Sequence, residues 1–226
     1  MFDWLFGKSY TYLVLINYDR SFAVSRELLD AICSYPANSF KPHKYNFLTK
    51  KYNDIVVPAK SISKVKFSSL ISVSLDFESL EGRLDWLPLL SISDGSPKGY
   101  NEVFFCLENV NISKFISYIK HFFHADYGFV CKCKNKQNAC VDSVVWGKNS
   151  SWHLNHKKVC EGFLKDVYPV NILNSIHVQN ALIDKIKEDE RMGEIDSSVD
   201  GYLIWNVDPS NIRYARRVCK KMGLLI

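Results

Sequence analysis

Potential metal ligands are concentrated between residues 131 and 160 of this 226-residue chain. In chain order they are Cys131, Cys133, Cys140, His153, His156 and Cys160. Thiolates and imidazoles at this density could hold a tetrahedral Zn2+ ion. A structural zinc site, however, usually separates its paired cysteines by about two to four residues, whereas a single residue separates Cys131 from Cys133. On a strand, these two thiols would share one face and behave as small apolar groups. We therefore expect no metal and no other cofactor, and zinc stays the alternative.

The chain carries no familiar catalytic motif. GxSxG, GxxxxGK[ST], GxGxxG and HExxH, which mark common acyl-transfer, nucleotide-binding and zinc-protease sites, are all missing from the sequence. A nucleophilic cysteine needs a neighbouring base or cation, and the spacing identifies none. The acidic pairs and runs, such as Asp76 with Glu78 and residues 188–190, fall on predicted solvent-exposed faces, where carboxylates are usually solvated. These residue types favour a protein that is not an enzyme.

Nucleic-acid binding is the main alternative function that the residues suggest. The segment 131–160 has six lysines and one aspartate, interleaved with Trp146, Trp152 and His153. Such a segment could stack bases on its rings and neutralise phosphates with its lysines. Two acidic blocks oppose it, because 76–102 has six acids and two bases, and 179–200 has seven acids and three bases. Since the sequence pI is only about 8.7, we expect nucleic acid not to be the main partner.

Composition points to an ordinary globular protein. Hydrophobic residues make up 47% of the chain and aromatic residues 14%, which is enough to build a core. No apolar run approaches the length of about 18 residues that a membrane span needs, and seven cysteines suit a reducing compartment. We expect a cytoplasmic protein with no membrane partner. The length suits about one to two domains, and we expect one α+β domain over residues 1–226, which could consist of two similar halves, 1–100 and 101–226.

The first half of the chain begins with the clearest buried strand. Residues 10–17 are apolar on both alternating faces, which predicts a strand covered on both sides. A helix follows, with Ser21 as its cap and Val24, Leu28, Leu29 and Ile32 at helical spacing. The polar residues 36–60 predict a long surface connection, and the alternation over 65–78 predicts a half-buried strand. Residues 79–100 predict a loop with a turn at Asp94 and Gly95.

The second half repeats a strand, a polar cap and an amphipathic helix. Strands are predicted at 103–107, 129–133, 141–146, 167–173 and 202–207, the second and third of them forming a hairpin. Asn111 is expected to cap one helix, Asp208 and Pro209 to begin the last one, and Gly193 and Gly223 to end helices. These repeated strand-helix units predict an α+β fold with a mixed or antiparallel sheet and helices packed on it.

The C-terminal third resembles the closing unit of bacterial immunity proteins, which are encoded beside polymorphic toxins. The similar positions are Tyr168, Pro169, Asn171, Trp205, Pro209, Arg216, Gly223, Leu224 and Leu225. An earlier helix that runs into Asp126, Tyr127 and Gly128 also resembles a junction in such families. The Lys- and Cys-rich segment 131–160 has no counterpart in that layout.

The resemblance implies a non-enzymatic protein that binds one cognate toxin and occludes its active site. Tight protein interfaces depend on a few buried aromatic or arginine anchors within a polar rim. Trp86 and Asp85 in the acidic segment 79–100, and Trp152 in the basic segment, are the candidate partner-binding residues. Core packing of the two tryptophans is the alternative. An acidic surface would suit a basic toxin such as a nuclease, and a basic surface an acidic one.

Overall fold

The computed structural model describes residues 10–18, 25–35, 42–51, 53–78, 84–87, 91–92, 101–106, 111–133, 156–177 and 180–226. The helices in these ranges are α1 (Arg26–Ser34), α2 (Ile112–Ile119), α3 (His156–Cys160), α4 (Asn180–Glu188) and α5 (Ile212–Lys221). The strands are β1 (Tyr10–Asn17), β2 (Pro42–Thr49), β3 (Asp54–Pro58), β4 (Leu70–Glu78), β5 (Leu84–Leu87), β6 (Ser91–Ile92), β7 (Asn101–Cys106), β8 (Tyr127–Cys133), β9 (Val170–Leu173), β10 (Glu194–Asp196) and β11 (Leu203–Asn206). None of these helices is long and apolar enough to cross a membrane.

The described strands form one sheet in the order β10-β11-β9-β8-β1-β7-β6-β4-β2-β3, with β5 paired to β4. Every named pairing between these strands is antiparallel. The predicted α+β class is confirmed. Because β1 lies between β7 and β8, strands from both halves of the chain share this sheet, and the division at residue 100 stays a prediction.

The central strand β1 is covered on both faces, as its continuous apolar run predicts. Leu13, Val14, Leu15 and Ile16 are all completely buried. Leu13 and Leu15 contribute to one core, and Val14 and Ile16 contribute to another. Since successive strand residues point to opposite faces, the sheet separates these two cores.

Helices complete both cores. The first core receives Leu28 of α1 and Phe115 of α2. The second core receives Val159 of α3, Leu182 of α4 and Ala215 of α5. The predicted arrangement of helices packed on a sheet is therefore confirmed, and the two faces of its central strands are not available to a partner without unpacking a helix.

The predicted surface connection over 36–60 is wrong, because this stretch contains the antiparallel hairpin of β2 and β3. Tyr45 and Phe47 are buried in the first core and stack on each other at 5.9 Å between ring centroids. Lysines and asparagines around these rings, such as Lys44 and Asn46, made the stretch look polar. Pro42 and Pro58 occupy the ends of the two strands, where a missing backbone donor is tolerated.

Two further boundaries in the first half differ from the predictions. A single 3-10 turn at Phe67–Ser69 precedes β4, so the predicted strand over 65–78 begins five residues later, at Leu70. The predicted loop over 79–100 is also wrong in part, because β5 and β6 lie within it. The predicted turn at residues 94–95 and the predicted cap at residue 21 lie outside the described residues, and Ser25 caps α1 by accepting a hydrogen bond from the Leu28 N–H at 3.1 Å.

The second half follows its predictions more closely. Asn111 caps α2, accepting a hydrogen bond from the Lys114 N–H at 2.9 Å. The last helix begins later than predicted, at Ile212, and Pro209 lies in the turn before it. There the Asp208 carboxylate accepts a hydrogen bond from the Ser210 N–H at 2.8 Å. The predicted strand 141–146 lies outside the described residues, and β10 is a strand that the pattern did not predict.

Candidate protein-binding site

A groove with a volume of about 620 Å3 lies between α4 and the β10 end of the sheet. Ile183 and Ile186 line it from the helix, and Ile195 and Leu203 line it from β10 and β11. Lys187, Glu194 and Ser197 add polar atoms to the lining. The groove thus has an apolar floor with a polar rim, the composition that binding pockets usually have. We call it the α4–β10 groove.

Helix α4 forms one wall because two of its apolar residues, Leu182 and Ile186, point toward the sheet. Leu182 and Ile186 are 2% and 4% exposed and pack in the second core. Ile183 lies on the adjacent side of the helix and remains half-buried. It therefore lines the groove without belonging to the core.

A close backbone approach at Gly193 positions β10. Its φ is +93°, and a Cβ atom there would lie 1.9 Å from the Asn206 carbonyl oxygen, so only glycine fits. Beside it, the Trp205 indole N–H donates to the Met192 carbonyl oxygen at 2.6 Å. These contacts hold the turn after α4 against β11 and bring Ile195 opposite Trp205 in the strand register.

The groove lies within the acidic block 179–200, which has four more acids than bases. Asp184, Glu188, Glu190, Glu194 and Asp200 are all exposed. With seven acids and three bases, the block has a formal charge of −4, and a block of this sign would attract a cationic partner.

Two other carboxylates of the block, those of Asp189 and Asp196, accept hydrogen bonds from neighbouring side chains. The Arg191 guanidinium and the Tyr214 hydroxyl both bond Asp189, and they lower the pKa of Asp189 to about 2. The Ser113 hydroxyl, followed by the Ser198 groups, lowers the pKa of Asp196. Both carboxylates are therefore ionised at neutral pH, and both also brace the local structure.

Two of the three predicted anchor residues lie away from this groove. Asp85 and Trp86 are in β5, opposite Phe77 and Asp76 of β4, and not in a loop as predicted. Since β5 pairs with β4 and not with the strands that line the groove, Asp85 and Trp86 belong to a different part of the sheet. Trp152 lies outside the described residues.

Sequence reasoning missed the groove because it missed β10. Three residues are too few for an alternation pattern to be distinguished from a turn. The signals that were available were the acidic block 179–200 and the apolar spacing of α4. They indicated a charged helix, but neither indicated a strand edge beside it.

The candidate metal ligands are only partly described. Cys131 is buried in the second core, and Cys160 is half-buried at the end of α3. His156 begins α3 and Cys133 ends β8, whereas residues 140 and 153 lie outside the described ranges. Among the described residues, no group of three or more potential ligands is arranged to hold a metal ion. The zinc alternative stays untested for the complete set.

The Cys160 thiol is poorly suited to nucleophilic attack. Burial, followed by the negative charge of Asp126, raises the pKa of Cys160. The thiol is therefore protonated near neutral pH, and a protonated thiol is a weak nucleophile. The His124 ring nitrogen Nδ1 lies 3.2 Å from the Tyr202 hydroxyl, so this histidine is engaged in a hydrogen bond between the segment that follows α2 and the residue that precedes β11.

Several residues that carry the resemblance have structural roles. The Asn171 side chain accepts a hydrogen bond from the Tyr168 N–H at 3.0 Å and donates to the Tyr168 carbonyl at 2.8 Å. Arg216 forms a two-point ion pair with Asp166. Trp205 is completely buried. These residues stabilise the β9–β11–α5 unit and do not themselves constitute a binding surface.

Comparison of the chain with protein-family models, with curated proteins and with solved structures finds no match in any of the three. The groove, its charge and its place in the fold are therefore the features that indicate a function.

Proposed function

We propose that this chain is an immunity protein that binds a cognate bacterial toxin and occludes the toxin's active site. The observation that carries the proposal is the α4–β10 groove, an apolar cleft within an acidic surface at the end of the sheet. The resemblance of the C-terminal third to such proteins supports the same conclusion. The proposed site of action is the bacterial cytoplasm.

The fold favours the end of the sheet as the contact surface. Helices cover both faces of the central strands, so a partner that bound there would have to displace a packed helix. At the β10 end, in contrast, apolar atoms of Ile183, Ile195 and Leu203 line an open cleft. A partner can bury these atoms without unfolding any described element.

The groove suits an anchor side chain of a larger interface. Protein interfaces of standard size bury roughly 1,600 Å2, and a few side chains inserted into pockets supply most of the binding free energy. A volume of about 620 Å3 accommodates one or two large side chains. The surrounding carboxylates would form the polar rim and accelerate the approach of a cationic partner.

The charge of the rim defines the class of toxin. A toxin that acts on nucleic acid needs a cationic active-site cleft, because it must bind phosphates. Exposed carboxylates such as Glu190 and Glu194 would occupy such a cleft in the place of phosphates. We therefore propose that the cognate toxin is a nuclease or another enzyme with a cationic active site.

Co-expression tests this proposal directly. The chain would be expressed with the product of the adjacent upstream gene, and growth rescue and complex formation would be measured. We expect rescue and a one-to-one complex that survives a wash in about 1 M NaCl, where screening shortens the reach of surface charges to about 3 Å. Failure of both rescue and complex formation would refute the proposal for that gene product.

A matched pair of variants links the result to the groove. Ile183→Asp places a charge on the half-buried groove wall, and Ile176→Asp makes the same change at a residue that is 54% exposed outside the groove lining. We expect the first variant to lose rescue and complex formation while the second retains both. Equal retention by the two variants would show that the groove is not the binding site.

Nucleic-acid binding is the second candidate, and a described cationic surface favours it. Arg213, Arg217, Lys220 and Lys221 of α5 are all exposed, in addition to the lysines of 131–160. Fluorescence anisotropy with labelled single-stranded DNA at increasing salt tests this function. Binding that falls steeply and equally for all sequences would support it, whereas no binding at low salt would exclude it.

A further inference from the structure

We infer that the partner contributes an extended cationic segment that pairs with β10 as an additional strand and places an apolar side chain in the α4–β10 groove. This inference rests on the proposed function, because it identifies the element of the toxin that the acidic end of the sheet recognises. It also predicts the side-chain pattern of that element.

The outer side of β10 forms one edge of the described sheet. β10 pairs with β11 through three residue pairs, from Glu194 opposite Asn206 to Asp196 opposite Ile204. Within the described part of the chain, no strand pairs with its other side. A strand at a sheet edge presents backbone donors and acceptors that an added strand can bond. The same edge opens next to the groove.

The pleat of β10 defines what an added strand would meet on each face. Ile195 lies opposite Trp205, which belongs to the second core, and Asp196 lies opposite Ile204, which belongs to the first core. Thus Ile195 is on the α4 face, and Glu194 and Asp196 are on the other face. An added strand would therefore alternate between apolar side chains toward the groove and cationic side chains beside the two carboxylates.

The surrounding charges agree with a cationic segment. Lys187 lies in the groove lining, and Lys114 of α2 is exposed near the face that carries Asp196, which is bonded to Ser113. Lys120 is 3.7 Å from the Asp200 carboxylate. These lysines partly offset the carboxylates of residues 179–200, which have four more acids than bases.

The opposite end of the sheet provides a contrast that strengthens the assignment. β3 is also terminal in the described sheet, and its Val56 is 61% exposed. However, the exposed lysines Lys50, Lys51 and Lys60 flank it, and Pro58 ends it. A cationic segment would be repelled there. Charge complementarity therefore selects β10 and not β3.

Amide NMR spectroscopy with two synthetic peptides tests the inference. The probes are Ac-Lys-Val-Lys-Val-Lys-Val-Lys-NH2 and its counterpart with glutamate in place of lysine, each titrated into the full-length 15N-labelled protein. We expect the cationic peptide to shift the amide signals of 194–196 and to slow their hydrogen exchange. The acidic peptide should leave these signals unchanged. No change with the cationic peptide, or equal changes with both peptides, would overturn the inference.

Charge reversal supplies the matched control. Glu194→Lys should lower the affinity for the cationic peptide by about tenfold or more, which corresponds to a loss of about 1.4 kcal/mol in binding free energy. Glu161→Lys makes the same change at an exposed residue of the α3 turn and should leave the peptide affinity within about twofold of that of the wild type. Equal losses in both variants would indicate attraction by net charge alone and would overturn the strand assignment.

Hydrogen exchange on the toxin complex separates this inference from the proposed function. If the complex forms but the β10 amides exchange as fast as in the free protein, strand addition is wrong and the proposed function remains. If the cationic peptide protects β10 but the adjacent gene product neither binds nor is neutralised, the strand-binding edge is supported and the proposed function fails for that gene product.

Discussion

The buried histidine at position 177 makes a large and specific contribution to the pH dependence of stability. His177 is 2% exposed, and its Nδ1 atom lies 2.8 Å from the Asn174 side-chain oxygen. Its ring stacks on Tyr127 with the centroids 5.1 Å apart. Within the described part of the chain, its buried Nε2 atom has no hydrogen-bond partner of regular geometry, and a backbone interaction with Val159 opposes the effect of burial only in part. Burial therefore lowers the pKa of His177 from 6.5 to about 4.

The linkage between protonation and folding gives the sign and the magnitude. Above pH 6.5 the ring is neutral in both the folded and the unfolded chain, so His177 causes no pH dependence there. Between pH 6.5 and pH 4 the unfolded chain binds a proton that the folded ring does not bind. The free energy of unfolding therefore falls over this window, and the difference between the two pKa values corresponds to about 3 kcal/mol.

Urea denaturation of the wild type and of His177→Phe at pH 7, 5 and 4 measures this effect. Phenylalanine retains a ring against Tyr127 but does not titrate, so its cost at pH 7 is that of the lost hydrogen bond. We expect the gap between the wild type and the variant to change by about 3 kcal/mol between pH 7 and pH 4, in favour of the variant. Carboxylates shared by both proteins cancel in this comparison.

An exposed histidine provides the control. His121→Phe changes a histidine on the surface and should retain the pH dependence of the wild type. The reasoning would be refuted if His177→Phe lost stability with falling pH as steeply as the wild type does. It would also be refuted if both phenylalanine variants changed the slope equally.

Three other predictions concern the turn after α4 and the second core. Gly193→Ala should lower the free energy of unfolding by at least about 3 kcal/mol, because the new Cβ atom would overlap a backbone oxygen. Gly201 also has a positive φ, +85°, but nothing lies within 4 Å of the position of its Cβ atom. Gly201→Ala should therefore cost only about 1 kcal/mol of backbone strain. Equal costs in urea denaturation would contradict the close approach. Tyr214→Phe should raise the pKa of Asp189 above its value of about 2, because the carboxylate loses a hydrogen-bond donor while Arg191 remains. If the titration of the Asp189 carboxyl group, followed by 13C NMR, is the same in the variant, the Tyr214 hydroxyl has no such role. Burial raises the pKa of Cys219 to about 12. We therefore expect iodoacetamide to leave this thiol unmodified in the folded protein near pH 8 and to alkylate it in urea. Peptide mass spectrometry measures the modification in both conditions. Rapid modification of the folded protein would contradict its burial.

Much of the fold could be predicted from local patterns. The bounds of β1 follow from an apolar run with no polar alternation, and the start of α2 follows from Asn111 and the apolar spacing behind it. In both cases the information lies within about ten neighbouring residues. Side-chain burial and backbone capping are local consequences of residue type, which is why these elements could be recognised.

The predictions that were wrong share one physical cause, which is that contacts between distant residues decided the structure. In β2, Tyr45 and Phe47 are buried although lysine and asparagine surround them, because the packing of distant residues Phe67 and Leu70 supplies their environment. Because most of the sequence neighbours of these two residues are polar, no local pattern indicates that they are buried. The short strand β10 was missed for the same reason, since its pairing partner β11 decides that three residues are extended.

The candidate site combines predicted and unpredicted parts. The apolar spacing of α4, the glycine at position 193 and the acidity of 179–200 are evident from the residues alone. The same residues led to Asp85, Trp86 and Trp152 as candidate anchors. Asp85 and Trp86 lie in β5, which does not pair with β10 or β11, and Trp152 lies outside the described residues.

The position of β10 at the end of the described sheet, with α4 beside it, is evident only from the folded arrangement. Helix periodicity, caps and charge are properties of neighbouring residues, and the sequence displays them directly. Strand order depends instead on which distant apolar faces pack together at the lowest free energy. Because the groove exists only between elements that this packing brings side by side, no local pattern could indicate it.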